Sequence, residues 1–125
     1  MNSQNPLVSI IIRTKNEERW ISSCLQSVFN QTHKNIEVII VDNLSTDMTV
    51  KKAKEFSVKI ITIKEFLPGK SINDGIKASK GKYIVCLSGH CVPTNENWLS
   101  NLINDLKNEE VAGVYGRQQP FSYSS

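Results

Sequence analysis

The chain has 125 residues, is 39% hydrophobic, and carries a formal net charge of +3 from 15 Lys+Arg against 12 Asp+Glu. That is one domain's worth of chain with material for an ordinary core, which excludes two domains of normal size and wholesale disorder. The basic excess is small and scattered, so it leaves no footprint for nucleic acid, and no apolar run approaches the about 18 residues of a membrane helix.

Residues 1–6 form a lead-in with neither the basic start nor the apolar stretch of a signal peptide. The run 7–12 (LVSIII) is apolar and β-branched and predicts a first strand. Trp20, Ile21, Cys24, Leu25, Val28 and Phe29 then recur at helical spacing, with Thr14 and Glu17 placed as a capping box or Asn16 as the direct cap. A second strand follows at 36–41. The second helix carries Val50, Ala53 and Phe56 and takes its cap from Ser45-Thr46-Asp47. A third strand at 58–63 leads to a helix capped by Ser71 and Asp74, carrying Ile72 and Ile76 and ending near Gly81. A fourth strand at 83–87 precedes a helix capped by Thr94 or Asn95, with the stripe Trp98, Leu99, Leu102, Ile103 and Leu106. A fifth strand at 111–115 and a polar, loose end at 118–125 close the chain. Several strands are almost continuously apolar, as strands covered on both faces are. The order βαβαβαβαβ, with right-handed crossovers, predicts an α/β fold of three layers around a mostly parallel sheet.

In open α/β sheets ligands bind at the carboxyl ends of strands. Polar residues gather there: Arg13-Thr14-Lys15-Asn16-Glu17, Asp42-Asn43, Gly69-Lys70 and Ser88-Gly89-His90-Cys91. The dinucleotide fingerprint, the P-loop and the nucleophile elbow are all absent. Asp42 suits either a ribose or base contact or an Asx-turn that holds its own loop. Lys70, read as lying just before a helix start, suits an anion or plain solvent. Cys24, Cys86 and Cys91 are odd in number and form no CxxC pair. This argues against a disulfide framework or a zinc knuckle and suits reduced thiols in the cytoplasm.

Together, Val8-Ser9-Ile10-Ile11-Ile12-Arg13-Thr14-Lys15-Asn16-Glu17 and Val38-Ile39-Ile40-Val41-Asp42-Asn43-Leu44-Ser45-Thr46-Asp47 resemble the opening of glycosyltransferase family 2. The stretches Gly69-Lys70-Ser71-Ile72-Asn73-Asp74-Gly75 and Ala78-Ser79-Lys80-Gly81-Lys82-Tyr83-Ile84 are similar to the family's third motif. The resemblance covers roughly residues 7–117. Ser88-Gly89-His90-Cys91-Val92-Pro93 and Gly116-Arg117-Gln118-Gln119-Pro120 resemble a rhamnosyltransferase-like subgroup, which points to a nucleotide-linked deoxysugar. The resemblance implies the Rossmann-like A-type glycosyltransferase fold, in truncated form. It implies a nucleotide-diphospho-sugar donor held by Thr14, Asn16, Glu17, Asp42, Lys70, Asn73, Ser88, His90 and Arg117, and a saccharide or lipid-linked acceptor. The family's Asp-x-Asp, which holds Mn²⁺ or Mg²⁺ against the diphosphate, is replaced by Ser88-Gly89-His90, leaving His90 as the candidate metal ligand.

Inverting transfer needs a carboxylate base for the acceptor hydroxyl. The resemblance implies that this base lies past the motifs above, in an acceptor-binding half beyond Ser125, so no residue of this chain is assigned to it. The chain is therefore expected to bind donor without transferring sugar. It is expected in the cytoplasm or peripheral to the inner face of a membrane, and an uncovered apolar surface could drive self-association. The alternative is a non-catalytic α/β module. A receiver domain wants paired acids where this chain has Arg13-Thr14, and a nucleotidyltransferase wants an early glycine-rich loop, whereas the first glycine here is Gly69. The donor reading requires Thr14, Asp42, Lys70 and His90 to meet on one rim.

Overall fold

The computed structural model describes residues 5–63 and 68–109. The elements run β1 (Val8–Thr14), α1 (Ile21–Phe29), β2 (Ile36–Asp42), α2 (Thr49–Ala53), β3 (Lys59–Thr62), α3 (Pro68–Ala78), β4 (Tyr83–Ser88) and α4 (Trp98–Glu109). The alternation follows the expectation, while the fifth strand at 111–115 and the loose end up to Ser125 lie outside the described residues.

All pairings are parallel and the strand order is β3-β2-β1-β4. The first two crossovers step one way along the sheet and put α1 and α2 on one face. The third steps back across β2 and β1, so the right-handed rule sends α3 to the opposite face. Side-chain alternation sorts the core accordingly. Val8, Ile10 and Ile12 of β1 pack with Cys24, Leu25 and Val28 of α1, Ala53 of α2, and Trp98, Leu99 and Leu102 of α4. Ile11 joins Ile39, Val41 and Cys86 on the other face, against Ile76 of α3. β1, at the centre and covered on both sides, is therefore apolar throughout apart from Ser9 and its carboxyl end, Arg13-Thr14.

Several helix starts differ from the expectation. α1 has Trp20 as its cap, with no side-chain cap bond. Thr14 belongs to β1, and Asn16 is turned away at φ 54°, a left-handed conformation that asparagine tolerates. The turn into α1 is closed instead by the Glu17 carbonyl, which accepts from the N–H of Trp20 and of Ile21. α3 begins at Pro68, so Lys70, Ser71 and Asp74 lie inside it rather than before it or capping it. Proline with its fixed φ and missing N–H suits a first helical position. α3 also ends at Ala78, short of Gly81. α2 stops at Ala53, and Phe56 beyond it stacks on Phe29 with ring centroids 5.9 Å apart. At the α4 start Asn95 does act as a local cap, its Oδ1 accepting from the Asn97 N–H at 2.6 Å, and a second cap comes from a residue that no local spacing shows. Gln31, buried at the end of α1, accepts from the Leu99 N–H and donates to the Ser27 and Asn95 carbonyls.

The three thiols are free and buried. Burial pushes Cys24 up to about 12, and the Cys91 and Glu17 charges add to it. Burial pushes Cys86 up to about 11, partly opposed by Arg13. Thiolate is the reactive form. Native chain is therefore expected to resist iodoacetamide at pH 8 and to label at all three cysteines in denaturant. Mass spectrometry showing fast labelling of the native chain would contradict this packing. Among the described residues, no helix is long and apolar enough to cross a membrane.

Candidate functional site

The strand order reverses between β1 and β4: the chain leaves β1 towards β2 and β3, then returns to pair on the other side. Loops following such a switch point splay apart and leave a crevice at the carboxyl ends of the strands. At that edge Thr14 is registered with Asp42, and Arg13 with Ser88.

The loops after β1 and β2 are tied together through side chains. Asp42, 2% exposed, accepts from Thr14 Oγ1 at 2.6 Å, from Ser45 Oγ at 2.6 Å and from the Ser45 N–H at 2.9 Å. Asp42 thus holds its own loop, through the N–H three residues on rather than the two of an Asx-turn. Asn16 Oδ1 accepts from the N–H of Thr46 and of Asp47, and the Asn16 N–H donates to Ser45 Oγ. Asp47 accepts from the N–H and hydroxyl of Thr49 and from the Glu18 N–H. Desolvation pushes the Asp47 carboxyl up, but the bonds from Thr49 and Glu18 outweigh it and hold it below the usual carboxylate range. Leu44, at φ 50°, is the other left-handed non-glycine among the described residues. Both such residues thus sit in these two loops, and local strain of this kind persists only where surrounding bonds enforce it.

The loop after β4 closes the third side. The Gly89 N–H donates to the Arg13 carbonyl. A Cβ on Gly89 would stand 3.0 Å from both Glu17 Cγ and Thr14 Cγ2, so any larger residue there would need those side chains to give by a few tenths of an ångström. The close pass brings His90 Nδ1 to 3.4 Å from Glu17 Oε2. Behind these groups lies a cavity of about 150 Å³, lined among others by Arg13, Glu17, Val41, Asn43, Ile63 and Ser88. A larger open groove of about 590 Å³ runs between α1 and the 93–96 loop, but it is away from the switch point and lined mainly by uncharged polar side chains.

Of the sequence candidates, Thr14, Asn16, Glu17, Asp42, Ser88 and His90 gather at this edge. Thr14 and Asp42 face the α1 side of the sheet, whereas Ser88 faces the α3 side, as the register with Ile12, Ile40 and Cys86 requires. Lys70 lies in the first turn of α3 and the exposed Asn73 in the next, at the end of α3 that follows β3. Arg117 lies outside the described residues, as does Ser125, beyond which the catalytic base is expected, so the described residues neither supply nor place that base. The sequence marks Ser45 and Asp47 as helix caps rather than as the clamp of these loops, and it assigns no site role to Thr49 or to Arg13, Val41 and Ile63, which line the cavity. Arg13 is accessible to alternation alone, since it falls on the same strand face as Ile11.

For a divalent cation, the described residues contain no group of three or more His, Cys, Asp or Glu. Glu17 and His90 are the pair able to offer one oxygen and one nitrogen. Magnesium-type ions are commonly held by one or two protein ligands plus substrate phosphates. The pair thus fits an ion shared with a diphosphate and does not make a self-sufficient metal site.

Residues 9–125 match the sequence profile of Glycosyl transferase family 2. The chain is 36% identical over 123 residues to a dolichyl N-acetyl-alpha-D-glucosaminyl phosphate 3-beta-D-2,3-diacetamido-2,3-dideoxy-beta-D-glucuronosyltransferase of Methanococcus voltae, spanning 87% of this chain and 38% of the relative. It is 34% identical over 131 residues to glycosyltransferase AglE of Haloferax volcanii, spanning 98% of this chain and 42% of that one. The fold is shared with the mannosyltransferase PcManGT from Pyrobaculum calidifontis, solved with GDP-Man and Mn²⁺, at TM-score 0.79 and 21% identity over 86% of this chain and 34% of that one. It is shared also with S. aureus TarS, solved with UDP, at TM-score 0.72 and 23% identity over 82% of this chain and 32% of that one. The parallel sheet with the A-type glycosyltransferase topology and the profile match over nearly the whole chain agree: this chain belongs to glycosyltransferase family 2.

Proposed function

We propose that the chain binds a nucleotide-diphospho-sugar and forms the donor half of an inverting glycosyltransferase. The observation that carries this reading is the meeting of the Thr14–Asp42 pair and the Glu17–His90 pair on either side of one crevice, at the switch point of the sheet. The chain spans 38% and 42% of the two relatives named above, so the activity of a whole enzyme is itself part of the proposal.

In this reading the base and ribose lie over the ends of β1 and β2, and the diphosphate lies between His90 and the start of α3. Asp42 keeps its Thr14 and Ser45 bonds and offers its remaining acceptor position on Oδ2. Asn16 holds the 45–47 loop as the ribose wall. A protonated His90 donates to a phosphate oxygen, and Lys70 with the first turn of α3 draws the negative charge of the leaving diphosphate. A bound Mn²⁺ or Mg²⁺ would replace the His90 proton rather than add to it, with Glu17 and the neutral imidazole of His90 as its protein ligands. Sugar transfer itself is a displacement at the anomeric carbon, and the acceptor hydroxyl must give up a proton. Among the described residues Glu17 is engaged with His90 and Asp42 with Thr14 and Ser45, so neither is placed to take it. A carboxylate supplied beyond Ser125 remains the proposed base. The name of the M. voltae relative supports a lipid-linked saccharide as acceptor. The Ser88-Gly89-His90 motif supports a deoxysugar on the donor, and free buried thiols suit a reducing cytoplasm.

Calorimetric titration with UDP, dTDP and GDP tests this. Saturable binding of at least one is expected, Mn²⁺ binding is expected only when nucleotide is present, and no sugar should be transferred to added acceptor. Absence of binding by all three nucleotides would leave a non-catalytic α/β module as the better account. Tight Mn²⁺ binding without nucleotide would refute the shared-ion assignment.

A further inference from the structure

Among the described residues the exposed large apolar side chains are Trp20 at 46%, Leu44 at 48% and Met48 at 43%. All three lie on the two loops that follow β1 and β2, and those loops are tied to each other. The Leu44 carbonyl accepts from Lys15 Nζ at 3.2 Å, and the Met48 N–H donates to Glu18 Oε1 at 3.0 Å, two residues before Trp20. They therefore share the rim of the crevice at the carboxyl end of the sheet. Single apolar side chains on a surface need no explanation, whereas a group on one rim marks a contact surface. The charged groups between them say which kind. The acids are occupied: Glu17 faces His90, Glu18 accepts the Met48 N–H, and Asp47 accepts the N–H of Thr49 and of Glu18. The bases are Lys15, Arg19, Lys51 and Lys52. Lys15 and Lys52 donate to the carbonyls of Leu44 and Glu18, and none of the four forms an ion pair with another described residue. Lysine is depleted in protein–protein interfaces. At a bilayer surface, by contrast, long basic side chains snorkel to the headgroups and tryptophan sits at their level.

We propose that this rim docks on a lipid bilayer, with Trp20, Leu44 and Met48 entering the headgroup layer, the four bases meeting lipid phosphates, and the crevice opening towards the membrane. A lipid-linked acceptor would then present its saccharide to the donor without leaving the bilayer; that consequence, unlike the docking itself, rests on the donor-half reading above. Acids and bases on the rim nearly cancel, so insertion of the apolar side chains carries most of the binding. Anionic lipid should add about fivefold, the worth of one base at a bilayer surface.

Trp20 is its own reporter, because the other tryptophan, Trp98, is packed in the core at 9% exposure. Trp98→Phe leaves Trp20 as the one indole. Its fluorescence should shift to the blue on vesicles of phosphatidylcholine, be quenched by brominated lipid, and report about fivefold tighter binding when phosphatidylglycerol is included. Cosedimentation of the unaltered chain with the same vesicles carries the test if Trp98→Phe fails to fold by circular dichroism. Trp20→Ser, which places a good capping residue at the start of α1, should weaken cosedimentation by about tenfold, as should the double change Leu44→Ser with Met48→Ser. Lys77→Ser, an exposed base in the last turn of α3 at the other end of the sheet, should leave it within about twofold. No binding to either vesicle overturns the docking, as does binding unchanged in both folded rim variants or weakened equally by Lys77→Ser. A dimer that Trp20→Ser dissolves, with no vesicle binding, would give the rim to a second copy of the chain and overturns it too. Titration of the same samples with UDP, dTDP and GDP keeps the two readings apart: vesicle binding without nucleotide binding removes the donor reading alone, and the converse removes the docking alone.

Discussion

Asp42→Ala is expected to loosen the rim and abolish nucleotide binding in the same variant. The carboxylate accepts three hydrogen bonds, from Thr14 Oγ1, Ser45 Oγ and the Ser45 N–H, in a position only 2% exposed. Hydrogen bonds to a charged group contribute about 1.5–3 kcal/mol each, and a buried donor left unpaired costs about 1–3 kcal/mol. Ser45 can rotate to water, whereas the hydroxyl of Thr14, itself 3% exposed, cannot. The net loss should be about 3 kcal/mol, read as a lowered urea midpoint at unchanged slope. Thr14→Val separates the two roles. It removes the donor and leaves Asp42 bonded to Ser45, so stability should fall by about 1 kcal/mol while the 45–47 loop keeps its place. A wild-type urea midpoint in Asp42→Ala would show that the carboxylate does not hold the loops.

Gly81→Ala is expected to be the most damaging change of a single methyl group. A Cβ at Gly81 would lie 2.5 Å from Ser9 Oγ, 2.6 Å from the Ser9 backbone nitrogen and 3.0 Å from the Leu7 carbonyl oxygen. Two of these neighbours are backbone of the lead into β1 and of its second residue, so no rotamer change relieves the clash. The Gly81 N–H also donates to Ser9 Oγ, and Lys82 N–H to the Leu7 carbonyl, where β4 is brought beside β1. Overpacking of this kind costs about 3 kcal/mol at the upper end of the usual range. In a domain of this size that corresponds to a fall in melting temperature of about 10 °C. Gly75→Ala is the informative control. Its Cβ would meet Ile11 Cγ2 at 2.6 Å, a methyl on the β-carbon of a buried side chain that yields by turning χ1 rather than by moving backbone, and alanine favours the helix by about 1 kcal/mol. It should therefore cost clearly less than Gly81→Ala, and thermal melts giving the reverse order would contradict the distinction between side-chain and backbone clash.

The β-branched runs at 7–12 and 36–41 state their own conformation because strands covered on both faces need apolar residues at every position. The 21–29 stripe does the same for α1 through its 3.6-residue period. The start of α3 is not legible in this way. Ser71 and Asp74 look like caps, while Pro68, which opens the helix, sits in a stretch that also reads as a turn. Asn16 is ambiguous for a related reason. Its amide can cap a helix or bridge two loops, and only the nearness of residues 45–47 decides for the bridge.

Composition, hydrophobic period and motif order were enough by themselves to determine an α/β domain with its polar loops at the carboxyl ends of the strands, and to mark Thr14, Asp42 and His90. These are local properties, set by a few neighbouring residues. Which strands are neighbours is not local. The placing of β4 beside β1, and with it the switch point, the Glu17–His90 pair and the division of Thr14 and Arg13 between opposite faces of one strand end, was decided by tertiary structure alone. The reason is that pairing order depends on how the crossover helices pack on the sheet, an energy shared among residues as far apart as Ile11, Gly75 and Cys86 and written in no single segment of the chain.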